Sequence, residues 1–196
     1  MHAGGRADLG VLIFRIFRVF LTSPWYKWLV RPLLFRLPPE KAQVIAEKSL
    51  AITAAWRLYG AATRVDTRYP RYARNGLLVQ NPVGLAAGFD KQCQYLGALA
   101  ELGFGYLVGG TVALRPRPGN PSPRLLRRVR DESLVNSLGF PSDGLSVIAA
   151  RLERMTHRSV PVYISIAAMD EVEVKQCMDR LEPLADAIEL NISSPN

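Results

Sequence analysis

The sequence is poor in the residues that most often announce a reaction. It holds two histidines, His2 and His157, so a His-based triad or a His metal site is excluded as a first reading, and no metal is expected. Its two cysteines, Cys93 and Cys177, lie far apart with no CxxC spacing, and read as reduced, packed thiols in a cytosolic protein. No GxGxxG opens a strand–helix turn and no Walker A motif occurs, which removes the two commonest phosphate-binding signatures. Long apolar runs are also missing. Residues 9–21 are apolar apart from Arg15 and Arg18, which is too short to span a bilayer, and no small-residue cleavage site follows.

What is present is unevenly distributed. Residues 1–74 hold 13 Lys and Arg against four Asp and Glu, whereas residues 75–196 hold 12 against 13. The basic excess therefore lies beside the apolar leader. That arrangement suits an anionic membrane surface; a nucleic-acid binder would carry the charge on the folded domain. Residues 1–23 read as an apolar-basic leader, either an interfacial helix or an extension that packs on the domain or stays disordered. Residues 24–62 read as a helical subdomain: an aromatic-basic segment at 25–37, then one helix from Pro38 to Gly60 with a stripe of Ala42, Ile45, Ser49, Ile52, Trp56 and Tyr59. An ordinary helical hairpin packed on the rest is the alternative. Residues 63–76 read as a linker, ended by the Asn75-Gly76 turn signal and a short strand at 77–80.

From residue 77 to residue 196 the pattern alternates. Strands are expected at 83–87, 104–109, 160–166 and 187–192, with helices at 92–102, 143–156 and 171–182. The proline-rich stretch 115–124 and the Gly/Pro-marked stretch 134–141 read as loops. Apolar strands separated by helices make parallel βαβ units. Small and polar residues gather just after each strand, where a (β/α) barrel builds its site. In residues 81–91 (NPVGLAAGFDK) a strand with no polar side chain runs into Ala86, Ala87 and Gly88, a surface bare enough for a flat ligand, with Lys91 as a nearby cation. A plain strand-to-helix turn with a solvated lysine fits these eleven residues equally well. Four strands are half of the eight that close a barrel, so the fold expected is α/β: the first half of a TIM barrel behind a helical subdomain.

Five segments occur in order: residues 81–91 (NPVGLAAGFDK), 103–112 (GFGYLVGGTV), 117–127 (RPGNPSPRLLR), 134–140 (LVNSLGF) and 190–196 (LNISSPN). This series resembles the membrane-associated, quinone-dependent (class 2) dihydroorotate dehydrogenases, and residues 26–46 resemble the leader of that class. The resemblance implies a (β/α)8 barrel with FMN at its C-terminal mouth, oxidation of dihydroorotate to orotate in pyrimidine (UMP) biosynthesis, and a membrane quinone as acceptor. It implies flavin contacts at Ala87, Gly88, Lys91, Thr111, Ser165 and Asn191. For the substrate it implies Lys91, Asn136, Ser137, Leu138, Gly139, Phe140, Asn191 and Asn196, with Ser194 as catalytic base. A polar turn is the plainer reading of residues 193–196. Serine at the base position fits the quinone class, because the soluble class places Cys there. Ser165 departs from the family's usual Asn at that strand end, which points to a weakened or water-bridged flavin contact.

The resemblance also implies a chain continuing past Asn196, with a second lysine and the Gly-rich loops that hold the flavin phosphate. On that view the 196 residues alone are inactive, hold FMN weakly and self-associate through open sheet edges. The expected location is peripheral, through residues 1–60, on the cytoplasmic face of the inner membrane if bacterial. Two other readings stand beside it: a non-catalytic membrane-associated half-barrel that pairs with another chain, and a different flavin-dependent barrel reductase acting on a pyrimidine.

Overall fold

The computed structural model describes residues 26–63, 72–74, 77–79, 81–156, 158–167 and 170–192. The expectations for the leader at 1–23, for Ser194 and for Asn196 lie outside the described residues.

The helical region opens with a π-helical turn, Tyr26–Val30, and continues through α1 (Arg31–Phe35), α2 (Pro39–Leu50) and α3 (Thr53–Thr63). The single helix expected from Pro38 to Gly60 is thus two. The break falls at Ala51 and Ile52, whose N–H groups bond three residues back to Lys48 and Ser49. Trp56 then folds over the break, donating its indole N–H to the Ser49 carbonyl at 2.7 Å. Gly60 does not end the helix; it lies inside α3, where a Cβ would fall 2.3 Å from the Glu101 carbonyl oxygen. Glycine is there because α3 packs backbone-close onto the next region.

A small hairpin, β1 (Tyr72–Arg74) and β2 (Leu77–Val79), leads into the sheet, so part of the stretch read as linker is strand. Then follow β3 (Gly84–Leu85), α4 (Leu96–Ala100), β4 (Tyr106–Val112), β5 (Leu125–Arg128), β6 (Ser133–Asn136), α5 (Leu145–Glu153), β7 (Val162–Ile166), α6 (Glu171–Leu181) and β8 (Ala187–Leu190). Among the described residues β3, β4, β7 and β8 form one parallel sheet in that order, while β5 and β6 pair as an antiparallel hairpin. Successive parallel strands lying side by side, with a helix between each pair, is the winding of a TIM barrel.

The core lies between this sheet and its helices: Leu107, Val112, Val162, Ile164 and Ile166 pack against Leu96, Leu99, Ile148, Leu152, Cys177 and Leu181. Both thiols are free and buried. Burial pushes both thiol pKa values up, so they stay protonated within the core.

Three local expectations are corrected. Residues 83–87 do not form one strand throughout; Val83 is 61% exposed, and β3 spans only Gly84–Leu85. Asn81 explains this, because its Oδ1 accepts the Val83 N–H at 3.0 Å while its Nδ2 donates to the Gly103 carbonyl at 3.0 Å. The side chain takes the donor that a longer strand needs. The helix expected from 92 begins instead at Leu96, since the Asp90 carboxylate accepts the N–H groups of Gln94 and Tyr95 at 2.9 and 2.7 Å. The loop expected over 134–141 starts as a strand: Leu134, Val135 and Asn136 pair with Arg127, Leu126 and Leu125.

Candidate functional site

Because β3, β4, β7 and β8 run parallel, their C-terminal ends meet at one edge of the sheet. A cavity of about 590 Å³ opens there, within the range of about 300–1,000 Å³ usual for small-molecule sites. Its wall includes Ala86, Ala87, Gly88, Lys91, Thr111, Asn136, Leu138, Phe140, Pro141, Glu189, Leu190 and Asn191.

The floor is nearly bare backbone. Gly88 has φ +97°, and nothing lies within 4 Å of where its Cβ would project. Its N–H is held by the Gly110 carbonyl at 2.8 Å, and Gly110 N–H by the Asp90 carbonyl at 3.0 Å, so the 88–90 turn is stitched to the end of β4. Lys91 reaches back and donates to the Gly88 carbonyl at 2.5 Å. Burial lowers its pKa from the ordinary lysine value, partly offset by the nearby Glu47 carboxylate. The cation is thus held at the cavity wall, half-buried.

Three polar side chains tie the strand ends together. Asn191 donates its Nδ2 to Thr111 Oγ1 at 3.0 Å, and Thr111 Oγ1 lies 3.1 Å from Ser165 Oγ. This bridge crosses β4, β7 and the residue after β8. The register of β4 against β7 shifts between Gly109 and Val112, at the point where Thr111 joins the bridge. Such an irregularity re-aims a side chain beside a site.

The far wall is the loop after β6. Gly139 has φ +71° and Phe140 has φ +48°, a sharp turn that leaves Asn136, Leu138 and Phe140 all on the cavity. The Arg117 guanidinium lies over the Phe140 ring, 6.0 Å from its centroid. Backbone bonds Arg117 N–H to Ser142 O at 2.8 Å, and Ser142 N–H to Arg117 O at 2.9 Å, pin the loop's end.

The sequence-predicted residues Ala87, Gly88, Lys91, Thr111, Asn136, Leu138, Phe140 and Asn191 are therefore brought onto one cavity. Ser165 sits behind Thr111 at 0% exposure, with its hydroxyl directed at Thr111. Ser137 and Gly139 shape the loop from behind the wall: Ser137 N–H bonds the Arg124 carbonyl, and Gly139 packs on Asn120. Sequence reading missed Glu189 and Leu190. Glu189 was within reach of it, standing two residues before Asn191 on the same strand face.

A second cavity, of about 250 Å³, lies between α2 and the 89–95 turn. Glu40, Val44, Glu47, Phe89, Tyr95 and Arg124 line it, and it shares Lys91, Leu138 and Pro141 with the first. Sequence patterns gave no sign of it, because its walls come from four separate segments of the chain, around residues 40–47, 89–95, 124 and 138–141.

Known proteins resemble this chain in sequence and fold. The sequence profile described as Dihydroorotate dehydrogenase matches residues 73–196. A relative named dihydroorotate dehydrogenase (quinone) from a Roseiflexus species is 40% identical over 179 residues, 86% of this chain and 50% of that protein. Another of that name, from Acidithiobacillus ferrooxidans, is 39% identical over 181 residues, 86% of this chain and 49% of its own length. The chain spans about half the length of the curated relatives it matches. Among solved structures, the ligand-free dihydroorotate dehydrogenase of Eimeria tenella superposes with a TM-score of 0.61 at 28% identity, over 77% of this chain and 46% of that one. The same enzyme with ferulenol gives 0.57 at 29%, over 76% and 44%. With the parallel sheet, the cavity at its C-terminal edge and a profile match over more than half its residues, this chain belongs to the dihydroorotate dehydrogenase family.

Proposed function

We propose that this chain builds the flavin and substrate face of an enzyme that oxidises dihydroorotate to orotate with a quinone as acceptor. The observation that carries the reading is the cavity at the strand ends, with a bare floor, one half-buried cation and two amides. A flat tricyclic ring needs a surface without side-chain bulk, and Ala86, Ala87 and Gly88 supply one. On this reading Ala87, Gly88, Lys91, Thr111 and Asn191 hold FMN, with Ser165 acting through Thr111. When bound, FMN supplies the two-electron acceptor that takes the C6 hydride of dihydroorotate.

The chain's own side chains do the rest. Lys91 offers positive charge to the carboxylate of the substrate, strengthened by its partial removal from water. Asn136, Asn191 and Asn196 donate to and accept from the imide edge of the ring, which apolar side chains cannot do. Leu138 and Phe140 cover the ring and exclude water. Ser194 removes the C5 proton; a serine acts as base only where water is kept out and its proton has a way to leave.

The second cavity is the proposed approach of the quinone, since it adjoins the first at Lys91, Leu138 and Pro141. On the helical region Trp28, Leu33, Ile45, Ile52 and Leu58 are exposed, an apolar surface beside basic residues that fits peripheral attachment. We place residues 24–62 as the quinone and membrane subdomain and residues 77–196 as barrel, at the cytoplasmic face of the inner membrane in a bacterial cell. A second reading is a non-catalytic half-barrel that pairs with another chain; among the described residues β8 lies at the edge of the sheet, where such pairing would occur.

The test uses the intact gene product. Purified, it should be yellow with FMN, and anaerobic mixing with dihydroorotate should bleach the flavin. Ser194→Ala should slow that bleaching by about 10²–10⁴ and retain FMN. A colourless protein of stable oligomeric state, with no response to dihydroorotate, would favour the half-barrel.

A further inference from the structure

The residues that fasten the helical region to the sheet region also hold the loop that closes the main cavity. Glu40, in the first turn of α2, accepts the Ser122 hydroxyl at 2.7 Å and the Arg124 N–H at 2.8 Å. These two bonds span 82 and 84 positions of sequence. Arg124 passes the hold onward. Its carbonyl accepts the Ser137 N–H at 2.9 Å, and its Nη1 donates to the carbonyls of Pro118 at 2.8 Å and Asn120 at 3.2 Å. Asn120 closes the circuit, with its N–H to the Leu138 carbonyl at 3.0 Å and its Nδ2 to the Ser137 carbonyl at 2.9 Å.

Residues 118–124 are thus a strap. One margin hangs on Glu40 and the other on Ser137 and Leu138, while Asn136, Leu138 and Phe140 present their other side to the cavity. The strap holds three prolines and has no sheet partner of its own before β5, so these few side-chain and backbone bonds set its position. A carboxylate suits the task because its two oxygens receive two converging donors at once.

We infer that Glu40 is a positioning residue for the main cavity: by tying α2 to the 118–124 strap it fixes the pose of the 136–140 loop, so docking of the helical region and closure of the cavity are one event. The naming of orotate as the occupant rests on the function proposed above; the mechanical coupling does not. The coupling gives the helical region a role in substrate binding that its 26–63 surface, remote in sequence from the cavity, does not suggest.

Hydrogen–deuterium exchange on the intact gene product tests it, alongside orotate titration. Glu40→Ala should speed exchange at the Asn120 and Ser137 amides about tenfold and weaken orotate binding about tenfold. Glu40→Gln, which keeps one acceptor oxygen, should fall between. Lys48→Ala, on the exposed side of the same helix, should leave both readouts unchanged. Combining Glu40→Ala with Ser122→Ala should cost less than the two losses added, since they remove the same bond. Unchanged exchange in Glu40→Ala, additive losses, or faster exchange with unaltered orotate affinity would each overturn the inference. Exchange that responds as expected in a protein that binds no orotate would support the coupling and count against the proposed occupant.

Discussion

The helical region and the sheet region spend similar residues in opposite ways. In the sheet region Leu107, Val162, Ile164 and Ile166 point inward and are sealed by three helices. In the helical region Trp28 is 80% exposed, and Leu29, Leu33, Val44, Ile45, Ile52 and Leu58 join it at the surface. The sheet region coheres through apolar contact. The helical region places only Leu50 and Trp56 on that core, and polar bonds add to the attachment: Glu40 to the strap, and Arg127 Nη1 to the carbonyls of Phe35 and Leu37 at 3.4 Å, its guanidinium 4.2 Å from the centre of the Phe35 ring. Apolar content alone therefore does not mark a core. What marks it is whether the pattern gives each apolar residue a facing partner. Among the described residues no helix is long and apolar enough to cross a membrane.

The contrast can be broken from either side. Ile164 is fully buried at the centre of the sheet, and Ile164→Ala should destabilise the fold by about 2–5 kcal/mol; denaturant unfolding followed by circular dichroism measures it. Trp28→Ser with Leu33→Ser should leave that unfolding midpoint within error and weaken binding to anionic vesicles about tenfold or more. Vesicle flotation reads this, and binding of the unaltered chain should fall as salt rises, since the charge contribution is screened. Equal loss of stability in both variants would erase the distinction drawn here.

The smallest effect concerns pH. Burial holds the Lys91 pKa below the ordinary lysine value, so the side chain loses its proton earlier as pH rises. Anion binding that depends on its charge should then weaken at a lower alkaline pH than a solvated lysine would give. Lys91→Arg should keep the charge and flatten that dependence; orotate affinity measured across the alkaline range tests both. Glu40 has the opposite slope. The Ser122 hydroxyl holds its pKa below the carboxylate range, so the clamp is intact at neutral pH and lost only as pH falls through that depressed value.

Much of the site was legible because it follows from strand direction. Once 83–87, 104–109, 160–166 and 187–192 read as parallel strands, Gly88, Lys91 and Thr111 fall at one edge, while Asn191 came from the family resemblance; the structure puts all four on one cavity. Less legible were places where one side chain redirects the backbone. Asn81 takes the Val83 N–H and shortens β3, and Asp90 takes the N–H groups of Gln94 and Tyr95 and delays α4. Propensity gives no weight to such bonds. Gly60 was read as a helix stop because glycine usually is one, whereas here it makes room for Glu101. The strap, the β5–β6 hairpin and the second cavity depend on contacts between distant segments, which periodicity does not register.

The central claim is that the bare floor at Ala87 and Gly88, the Lys91 cation and the Asn136 and Asn191 amides form one binding site. A crystal structure of the intact gene product grown with orotate tests it directly. The account predicts a flavin ring against the backbone of residues 87–88, and orotate between Lys91 and the two asparagines, beneath Leu138 and Phe140. Flavin or orotate bound elsewhere, with this cavity filled by ordered water alone, would contradict it.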